Sequence, residues 1–269
     1  MTIVLLKSGN NDTYRAQLEA ASYQPIFLPV LGHQLSNQDA LREILTSGSY
    51  TGVIFTSQRA VEAWGQAVKG CSRQEWDRIP SYVVGAATRQ ALLDLQSDMV
   101  PSGDLVLGGE ETGRAELLGQ YMVKKLEGRE SVEKLLYLVG DKRRDILSVM
   151  LAKAGLVVQE VTVYETTMAD GFPRQLETIL KSKAGGNIWI VFFSPSGAQY
   201  TIPTLQSCVG AEDGHLDEVL HRQNIRLAAI GPTTAEYLQQ TVSLSVAAEC
   251  QYPTAESLTL ALRHADQLV

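Results

Sequence analysis

Residues 52–64 read GVIFTSQRAVEAW, and residues 190–200 read IVFFSPSGAQY. Each stretch begins with a run of apolar residues, continues through a short polar turn and ends in a segment of helical pattern. A short apolar run bounded by turn residues is typical of a strand that is buried on both faces. Both stretches therefore predict a buried strand, a tight turn and a helix.

The same pattern occurs elsewhere, so that a set of four strand-turn-helix units appears twice along the chain. The matched pairs are residues 3–21 with 135–155, 52–64 with 190–200, 81–93 with 227–240, and 110–122 with 251–262. The order of the units is the same in both halves. This repetition predicts an internal duplication, and two copies are too few for a solenoid.

Strands that alternate with helices form a parallel sheet with helices on both faces. We therefore expect an α/β protein with two doubly wound parallel-sheet domains. Residues 28–36 and 156–167 each follow a helix and read as extended strands outside the compact units. Such a pair suits a two-stranded connection between domains, although the sequence alone leaves their pairing open.

Composition excludes several classes of function. The chain has 269 residues and a formal net charge of −7, which argues against nucleic acid as the main partner, because phosphate contacts need a basic surface. Cys71, Cys208 and Cys250 are far apart, and the four histidines lack metal-ligand spacing, so neither disulfides nor a metal site is expected. The sequence shows neither a signal peptide nor an apolar run of about 20 residues, and we expect a cytoplasmic protein without membrane contact.

The turns after the strands are rich in serine and threonine, which are preferred N-cap residues of helices. Ser196 with Gln199, and Thr233 with Glu236, have the spacing of a capping box. Further caps are expected at Thr56 or Ser57, Thr88, Thr112 and Thr254. Taken singly, each residue is most simply a cap. Taken together, many helix N-termini at the carboxyl edges of the sheets predict a ligand with several negative charges.

Six short blocks occur in a fixed order along nearly the whole chain. They are IFTSQRAVEA (54–63), VVGAAT (83–88), TVYETT (162–167), FFSPSG (192–197), AAIGPTTAEYL (228–238) and PTAESL (253–258). In this order and spacing the blocks resemble the uroporphyrinogen-III synthase family, and most of all its eukaryotic branch.

The resemblance implies a division of the chain that differs from a simple cut near residue 130. One domain would comprise residues 1–30 plus 169–269, so that the first unit completes the C-terminal domain. Residues 48–153 would form the second domain, inserted into the first. Residues 31–47 and 154–168 would be the connectors and would form a two-stranded ladder between the domains.

The resemblance also implies a reaction. The family's substrate is hydroxymethylbilane, a linear tetrapyrrole with eight carboxylates. The enzyme expels the terminal hydroxyl as water, and the substituted carbon of ring D attacks the resulting azafulvene. The spiro intermediate then fragments and recloses with ring D inverted, which gives uroporphyrinogen III of haem biosynthesis. The chain would accordingly be a cyclising hydro-lyase without metal or organic cofactor, and we expect a monomer.

For the proton donor, the resemblance implies Tyr164, because the family's VYxT block carries a tyrosine discussed as the acid. A tyrosine phenol ordinarily keeps its proton at neutral pH. The alternative is a tyrosine that only packs within the ladder. Substrate carboxylates would be bound at the turns, by Lys7, Ser8, Thr56, Ser57, Arg59, Thr88, Ser194, Ser196, Gly197, Thr233 and Thr234.

Two other classes of protein remain open from the residues alone. One is a two-domain binding protein for an anionic small molecule, without catalysis. The other is a sugar-phosphate or nucleotide-sugar transferase, which the absence of a Gly-rich dinucleotide or P-loop motif disfavours. The basic cluster Lys142, Arg143 and Arg144 suits either an anion site or a solvated helix start.

Overall fold

The computed structural model of the chain describes residues 1–9, 12–47, 49–69, 71, 74–95, 99–128, 134–143 and 145–267. Arg144, a member of the basic cluster, lies outside these residues. The chain divides into two units, of which the first is Met1–Gly32 with Thr167–Val269 and the second is His33–Thr166. Among the described residues, no helix is long and apolar enough to cross a membrane.

The strands and helices alternate along most of the chain. The strands are β1 (Thr2–Leu5), β2 (Gln24–Phe27), β3 (Leu31–Leu35), β4 (Gly52–Phe55), β5 (Ser81–Val83), β6 (Val106–Leu107), β7 (Lys134–Gly140), β8 (Val157–Met168), β9 (Ile188–Phe192), β10 (Ile225–Ala229) and β11 (Ala248–Glu249). The α-helices are α1 (Asp12–Ala20), α2 (Gln38–Ser47), α3 (Gln58–Ala67), α4 (Gly85–Leu93), α5 (Ala115–Leu126), α6 (Ile146–Lys153), α7 (Phe172–Ser182), α8 (Pro195–Val209), α9 (Leu216–Arg222), α10 (Pro232–Glu236) and α11 (Ala255–Gln267).

Each unit contains one sheet. In the first unit the strand order is β11-β10-β9-β1-β2, and all neighbours are parallel. In the second sheet the order is β3-β8-β7-β4-β5-β6, and the pairs from β8 to β6 are parallel. The predicted α/β class with parallel sheets is confirmed.

Side chains of successive strand residues pack on opposite faces of the sheet, as the two-residue period of a strand requires. In the first unit, Ile3 and Leu5 pack with residues of α1 and α11, whereas Val4 packs with residues of α7 and α8. In the second unit, Phe55 packs with residues of α2 and α3, and Ile54 packs with residues of α5 and α6. Helices therefore cover both faces of each sheet, which explains the near-continuous apolar strands.

The expected connectors differ from the structure. Residues 31–47 are not extended throughout, because β3 ends at Leu35 and α2 begins at Gln38. Leu41 and Leu45 are spaced four apart on one face of α2 and are fully buried in the core of the second unit. The connector 154–168 also differs, because β8 pairs with β7 from Val157 to Tyr164 as part of the sheet.

The two segments that were expected to be extended do contain strands. Residues 28–36 contain β3, and residues 156–167 lie largely in β8. The two strands are hydrogen-bonded neighbours. The amide N of Ser36 donates to the carbonyl O of Val163 at 2.9 Å, and Nδ2 of Asn37 donates to the carbonyl O of Thr162 at 2.8 Å. These bonds hold the start of α2 to β8.

In each sheet, the chain connects two neighbouring central strands to strands on opposite sides of the pair. In the first unit, β1 leads through α1 to β2, and β9 leads through α8 and α9 to β10 on the other side. In the second unit, β7 leads through α6 to β8, and β4 leads through α3 to β5. Such a reversal of strand order opens a crevice at the carboxyl ends, which is the usual ligand site of doubly wound sheets.

The position of β1 predicts that residues 167–269 do not fold by themselves. β1 pairs with both β2 and β9, and the side chains of Ile3, Val4 and Leu5 are fully buried. Thermal unfolding should be cooperative when residues 1–32 are joined to 167–269 by a short linker, and not for 167–269 alone. Circular dichroism of the two proteins measures this. Equally cooperative unfolding of 167–269 alone would contradict the prediction.

Candidate active site at the carboxyl ends of the strands

Tyr164 lies on β8 beside the end of β7, where the pairing of the two strands shifts by one residue. Val139 pairs with Thr162, but Gly140 pairs with Tyr164, so that Val163 is the extra residue of a β-bulge. Val163 is fully buried in the core, and Tyr164 is half-buried. A bulge re-aims the side chain that follows it, and here it directs Tyr164 toward the end of β7.

The Tyr164 ring lies directly against Gly140. A Cβ atom at position 140 would be 2.4 Å from Cε2, 2.5 Å from Cζ and 2.8 Å from the phenol oxygen of Tyr164. Real Cβ atoms essentially never approach other atoms so closely. Glycine is therefore required at position 140 for the ring to occupy this place.

The phenol of Tyr164 has one hydrogen-bond partner among the described residues. The Ser57 hydroxyl donates to the Tyr164 oxygen at 3.1 Å. Ser57 is also the N-cap of α3, since its Oγ accepts from the amide N of Ala60 at 3.2 Å. Because the tyrosine oxygen accepts from Ser57, the phenol's own proton is left for a further acceptor.

Thr56 lies beside Ser57 and is half-buried. Its Oγ1 accepts from the hydroxyl of Tyr137 at 3.4 Å. Burial raises the pKa of Tyr137, with a smaller opposing effect from the bond to Thr56. Tyr137 thus remains a neutral donor that orients Thr56.

His33, Arg59 and Asp141 are further ionisable groups near Tyr164. The rings of His33 and Tyr164 meet edge to face, with centroids 6.1 Å apart. Burial lowers the pKa of His33, the charge of Arg59 lowers it further, and the charge of Asp141 opposes both. Arg59 is exposed, and no described carboxylate lies within ion-pair distance of it.

Asp141 fixes β8 immediately after the tyrosine. Its Oδ1 accepts from the amide N of Thr166 at 3.0 Å and from the Thr166 hydroxyl at 3.2 Å. The amide N of Asp141 donates to the carbonyl O of Tyr164 at 3.2 Å. The turn after β7 therefore holds the backbone on which Tyr164 is mounted.

In the first unit, Lys7 follows β1 at the equivalent reversal of strand order. Its Nζ lies 4.4 Å from the ring centroid of Tyr14 and 5.2 Å from that of Phe193. Burial lowers the pKa of the Lys7 ammonium. Two aromatic faces thus orient a cation that has no carboxylate of the described residues within ion-pair distance. Ser8, the next residue, is exposed.

The helix that follows β9 begins two residues earlier than the capping-box spacing predicts. Ser194 is the N-cap of α8, and its Oγ accepts from the amide N of Gly197 at 3.0 Å. Ser196, the expected cap, is the second helical residue. Pro195 explains the difference, because proline is favoured at the first helical position and the cap precedes it.

The same correction applies to the helix that follows β10. α10 begins at Pro232 with Gly231 as its N-cap, and Thr233 is an exposed second residue rather than a cap. Thr88 is not a cap either, since α4 begins at Gly85 and encloses it. The side chains of Thr88 and Thr234 are only 5% and 4% exposed, which removes both from contact with a ligand in solvent.

Of the two remaining expected caps, Thr254 is a cap and Thr112 is not. Thr254 caps α11, since its Oγ1 accepts from the amide N of Ser257 at 3.2 Å. Thr112 instead donates to the carbonyl O of Val83 at 2.8 Å and joins two turns of the second unit. In the basic cluster, Arg143 is paired with Glu160 and with Asp145, which makes it part of a surface ion-pair network.

No group of three or more His, Cys, Asp or Glu side chains within the described part of the chain could hold a metal ion. The family model of uroporphyrinogen-III synthase HemD matches residues 12–259. The chain belongs to the uroporphyrinogen-III synthase family.

Two curated members of the uroporphyrinogen-III synthase family are close in sequence. The chain is 30% identical to uroporphyrinogen-III synthase of Saccharomyces cerevisiae over 88% of this chain and 86% of the relative. It is 28% identical to the same enzyme of Schizosaccharomyces pombe over 89% of this chain and 87% of the relative. The family and the enzyme class expected from the sequence, a cyclising lyase of tetrapyrrole biosynthesis, are confirmed.

A solved structure shares the fold. Uroporphyrinogen-III synthetase from Helicobacter pylori matches with a TM-score of 0.50 at 19% identity and covers 100% of this chain and 99% of that chain. At this identity the likeness concerns the fold alone.

Within the uroporphyrinogen-III synthase fold of this chain, the second unit brings together Thr56, Ser57, Arg59 and Tyr164. The first unit brings together Lys7, Ser194, Ser196 and Gly197. Sequence reasoning missed His33 and Asp141, because neither residue belongs to one of the recognised sequence blocks. The signal that was present for Asp141 is its place directly after a predicted strand.

We predict that Gly140→Ala displaces the Tyr164 ring and lowers turnover. The added Cβ would lie 2.4 Å from Cε2 of Tyr164, so the ring must move away from Ser57. Gly103→Ala is the control, because a Cβ there would meet only Cδ2 of Leu93 at an ordinary 3.9 Å. Turnover and thermal unfolding of both variants are measured. A Gly140→Ala protein that is folded and fully active would contradict the packing described here.

Proposed function

We propose that the chain closes hydroxymethylbilane to uroporphyrinogen III, with the phenol of Tyr164 as the proton donor. The observation that supports this role is the hydrogen bond from Ser57 to the tyrosine oxygen. That bond uses a lone pair of the phenol and leaves its proton available. A general acid needs a proton that it can donate to the leaving group within hydrogen-bond distance, and the Tyr164 phenol has one.

The first step requires this proton. The terminal hydroxyl of hydroxymethylbilane accepts the phenol proton as its bond to carbon breaks, and water leaves. The product is the azafulvene, which the substituted carbon of ring D attacks to form the spiro intermediate. The Tyr164 oxygen keeps its hydrogen bond from Ser57 after it has lost the proton.

The eight carboxylates of the substrate require several positive or donor groups. Arg59 and Lys7 are the cations we assign to this task, because neither has a carboxylate partner among the described residues. A guanidinium binds a carboxylate with two parallel hydrogen bonds. The Lys7 ammonium is held between two rings, which limits the entropy that it loses when a carboxylate binds.

Helix starts supply the neutral donors. Helices α3 and α8 begin after the N-caps Ser57 and Ser194, and the amide N–H groups of their first turns face out of the helix start. Helix N-termini favour anions for this reason. Pro195 and Pro232 lack an N–H, so α8 and α10 offer fewer donors than their turns predict. The side chains proposed to contact carboxylates are Lys7, Ser8, Thr56, Ser57, Arg59, Ser194, Ser196 and Thr233. The amide N of Gly197 is left out of this set, because it already donates to Oγ of Ser194.

We also propose that the two units are domains of an internal duplication. The strand order β11-β10-β9-β1-β2 matches the order β6-β5-β4-β7-β8 strand for strand when each strand is aligned with its sequence counterpart. The domains would centre on residues 1–30 plus 169–269 and on residues 48–153, with β3 and β8 as the two-stranded connection.

We further propose that the chain acts as a cytoplasmic monomer. Cys71, Cys208 and Cys250 are free thiols, which suits a reducing compartment. Every group invoked in the reaction comes from this one chain, so the proposed chemistry needs no second copy.

The proposed reaction is tested by incubating the chain with freshly prepared hydroxymethylbilane and separating the porphyrin isomers after oxidation. The substrate also cyclises spontaneously to the uninverted isomer, uroporphyrinogen I. We expect isomer III to dominate with the chain present. Binding of the bilane with only isomer I formed would instead indicate the alternative, a binding protein for an anionic small molecule.

Tyr164→Phe should lower turnover by about 10²- to 10⁴-fold, the usual range for general acid catalysis. The substitution removes the hydroxyl and keeps the ring against Gly140. Tyr252→Phe is the matched control, because Tyr252 is 60% exposed. Initial rates and isomer ratios are compared after the fold has been checked. If Tyr164→Phe retains more than about half of the wild-type rate, far short of that range, Tyr164 is a packing residue.

Ser57→Ala and Ser194→Ala separate capping from catalysis. Each removes one N-cap bond and should cost about 0.5–2 kcal/mol of unfolding free energy. Only Ser57 also donates to the phenol of Tyr164, so Ser57→Ala should lower turnover more than Ser194→Ala. Denaturant unfolding and initial rates test both effects. Equal losses of turnover at equal stability would show that the Ser57–Tyr164 bond has no catalytic role.

A further inference from the structure

We propose that His33 is a positioning residue of the reaction: its neutral imidazole holds the Tyr164 ring in the orientation from which the phenol donates its proton. This inference rests on the proposed role of Tyr164. His33 itself contacts the tyrosine and is not assigned a contact with substrate.

The contact between the two rings has the geometry of an attractive aromatic pair. The centroids are 6.1 Å apart, and the ring planes meet at 83°. Edge-to-face pairs prefer centroid distances of about 4.5–7 Å. His33 lies on β3 and Tyr164 on β8, which are hydrogen-bonded neighbours, so the backbone fixes the relative position of the rings.

His33 supplies the aromatic contact of Tyr164, in addition to the packing of Tyr164 against the core of the second unit. Gly140 limits how far the ring can move toward β7, and Ser57 holds only the phenol oxygen by one hydrogen bond. A contact with the imidazole restrains the ring itself. The ring also packs against the core of the second unit, and the imidazole adds an aromatic contact to that packing.

The charges around His33 favour its neutral form. Arg59 faces it from the start of α3, Asp141 faces it from the turn after β7, and Tyr164 faces it from β8. Burial and the Arg59 charge lower the pKa of His33 below the ordinary 6.5, and the Asp141 charge opposes this only in part. The imidazole is therefore neutral at neutral pH.

Protonation of His33 should impair the reaction. As the pH falls through the lowered pKa, the imidazolium is attracted to Asp141 and repelled by Arg59, and both forces change its position against the tyrosine. The new positive charge also lies beside the group that generates the cationic azafulvene. Turnover should therefore decline on the acid side through the protonation of His33.

The test compares wild-type protein with His33→Phe, His33→Ala and the control His221→Phe. Both histidines are exposed, but His221 lies on α9 of the first unit and His33 contacts Tyr164. His33→Phe keeps an aromatic edge and cannot titrate, whereas His33→Ala removes the ring. We expect His33→Ala to lower kcat by about 2- to 10-fold with KM unchanged, the range that the loss of one aromatic pair supports. His33→Phe should retain kcat at about pH 8 and lose the acid-side decline.

A second readout does not depend on activity. In protein labelled with ¹³C in the tyrosine rings, the Tyr164 signal is identified by its absence from Tyr164→Phe. Between about pH 5 and pH 8, this signal should shift with the titration of His33 in wild-type protein and in His221→Phe. It should not shift in His33→Phe.

The two readouts distinguish a failure of the proposed function from a failure of the positioning role of His33. A wild-type chain that forms no uroporphyrinogen III overturns the proposed function, while the tyrosine signal still tests the contact. A Tyr164 signal that is independent of pH in folded wild-type protein overturns the positioning role. So does a folded His33→Ala variant with wild-type kcat and an unchanged pH profile.

Discussion

Parallel strands covered on both faces impose the constraint on which the rest of this structure depends. A parallel pair needs a crossover connection, and every crossover returns the chain to the same edge of the sheet. The carboxyl ends of the strands and the starts of the helices therefore meet at one edge in each unit. Lys7 and Ser194 reach that edge in the first unit, and Ser57 and Gly140 reach it in the second. The candidate groups therefore lie in these turns or, like Tyr164 of β8, on a strand beside them.

Tyr164 reaches this edge because of backbone features. The bulge at Val163 changes the alternation of side chains along β8, and the missing Cβ of Gly140 leaves room for the ring against β7. Ser57 then connects the tyrosine to the helix start, since one hydroxyl both caps α3 and donates to the phenol. A side chain that strand pairing places in this way has a well-defined position, because the strands change little when side chains move.

The sequence predicted the α/β class, the parallel strands, the family and the turns that carry the candidate groups. These features follow from apolar periodicity and from local turn chemistry, which act over a few residues. Helix α2 was missed because Leu41 and Leu45 were included in an expected extended connector. The caps at Ser194 and Gly231 each lie two residues before the expected cap, because proline occupies the first helical position. The bulge depends on the register between β7 and β8, and the contact of His33 with Tyr164 joins residues more than a hundred positions apart. Strand register of this kind leaves no local signal in the sequence.

The central claim is that Tyr164 supplies a proton to the leaving hydroxyl, and a substrate whose leaving group needs no proton tests it most directly. A bilane with an acetate ester in place of the terminal hydroxyl releases acetate, which leaves as an anion. Formation of uroporphyrinogen III from each substrate is measured for wild type and for Tyr164→Phe, with the spontaneous rate subtracted. The account predicts that the variant is impaired with hydroxymethylbilane and works at close to the wild-type rate with the ester. Equal impairment with both substrates would contradict it and would leave Tyr164 a role in orientation alone.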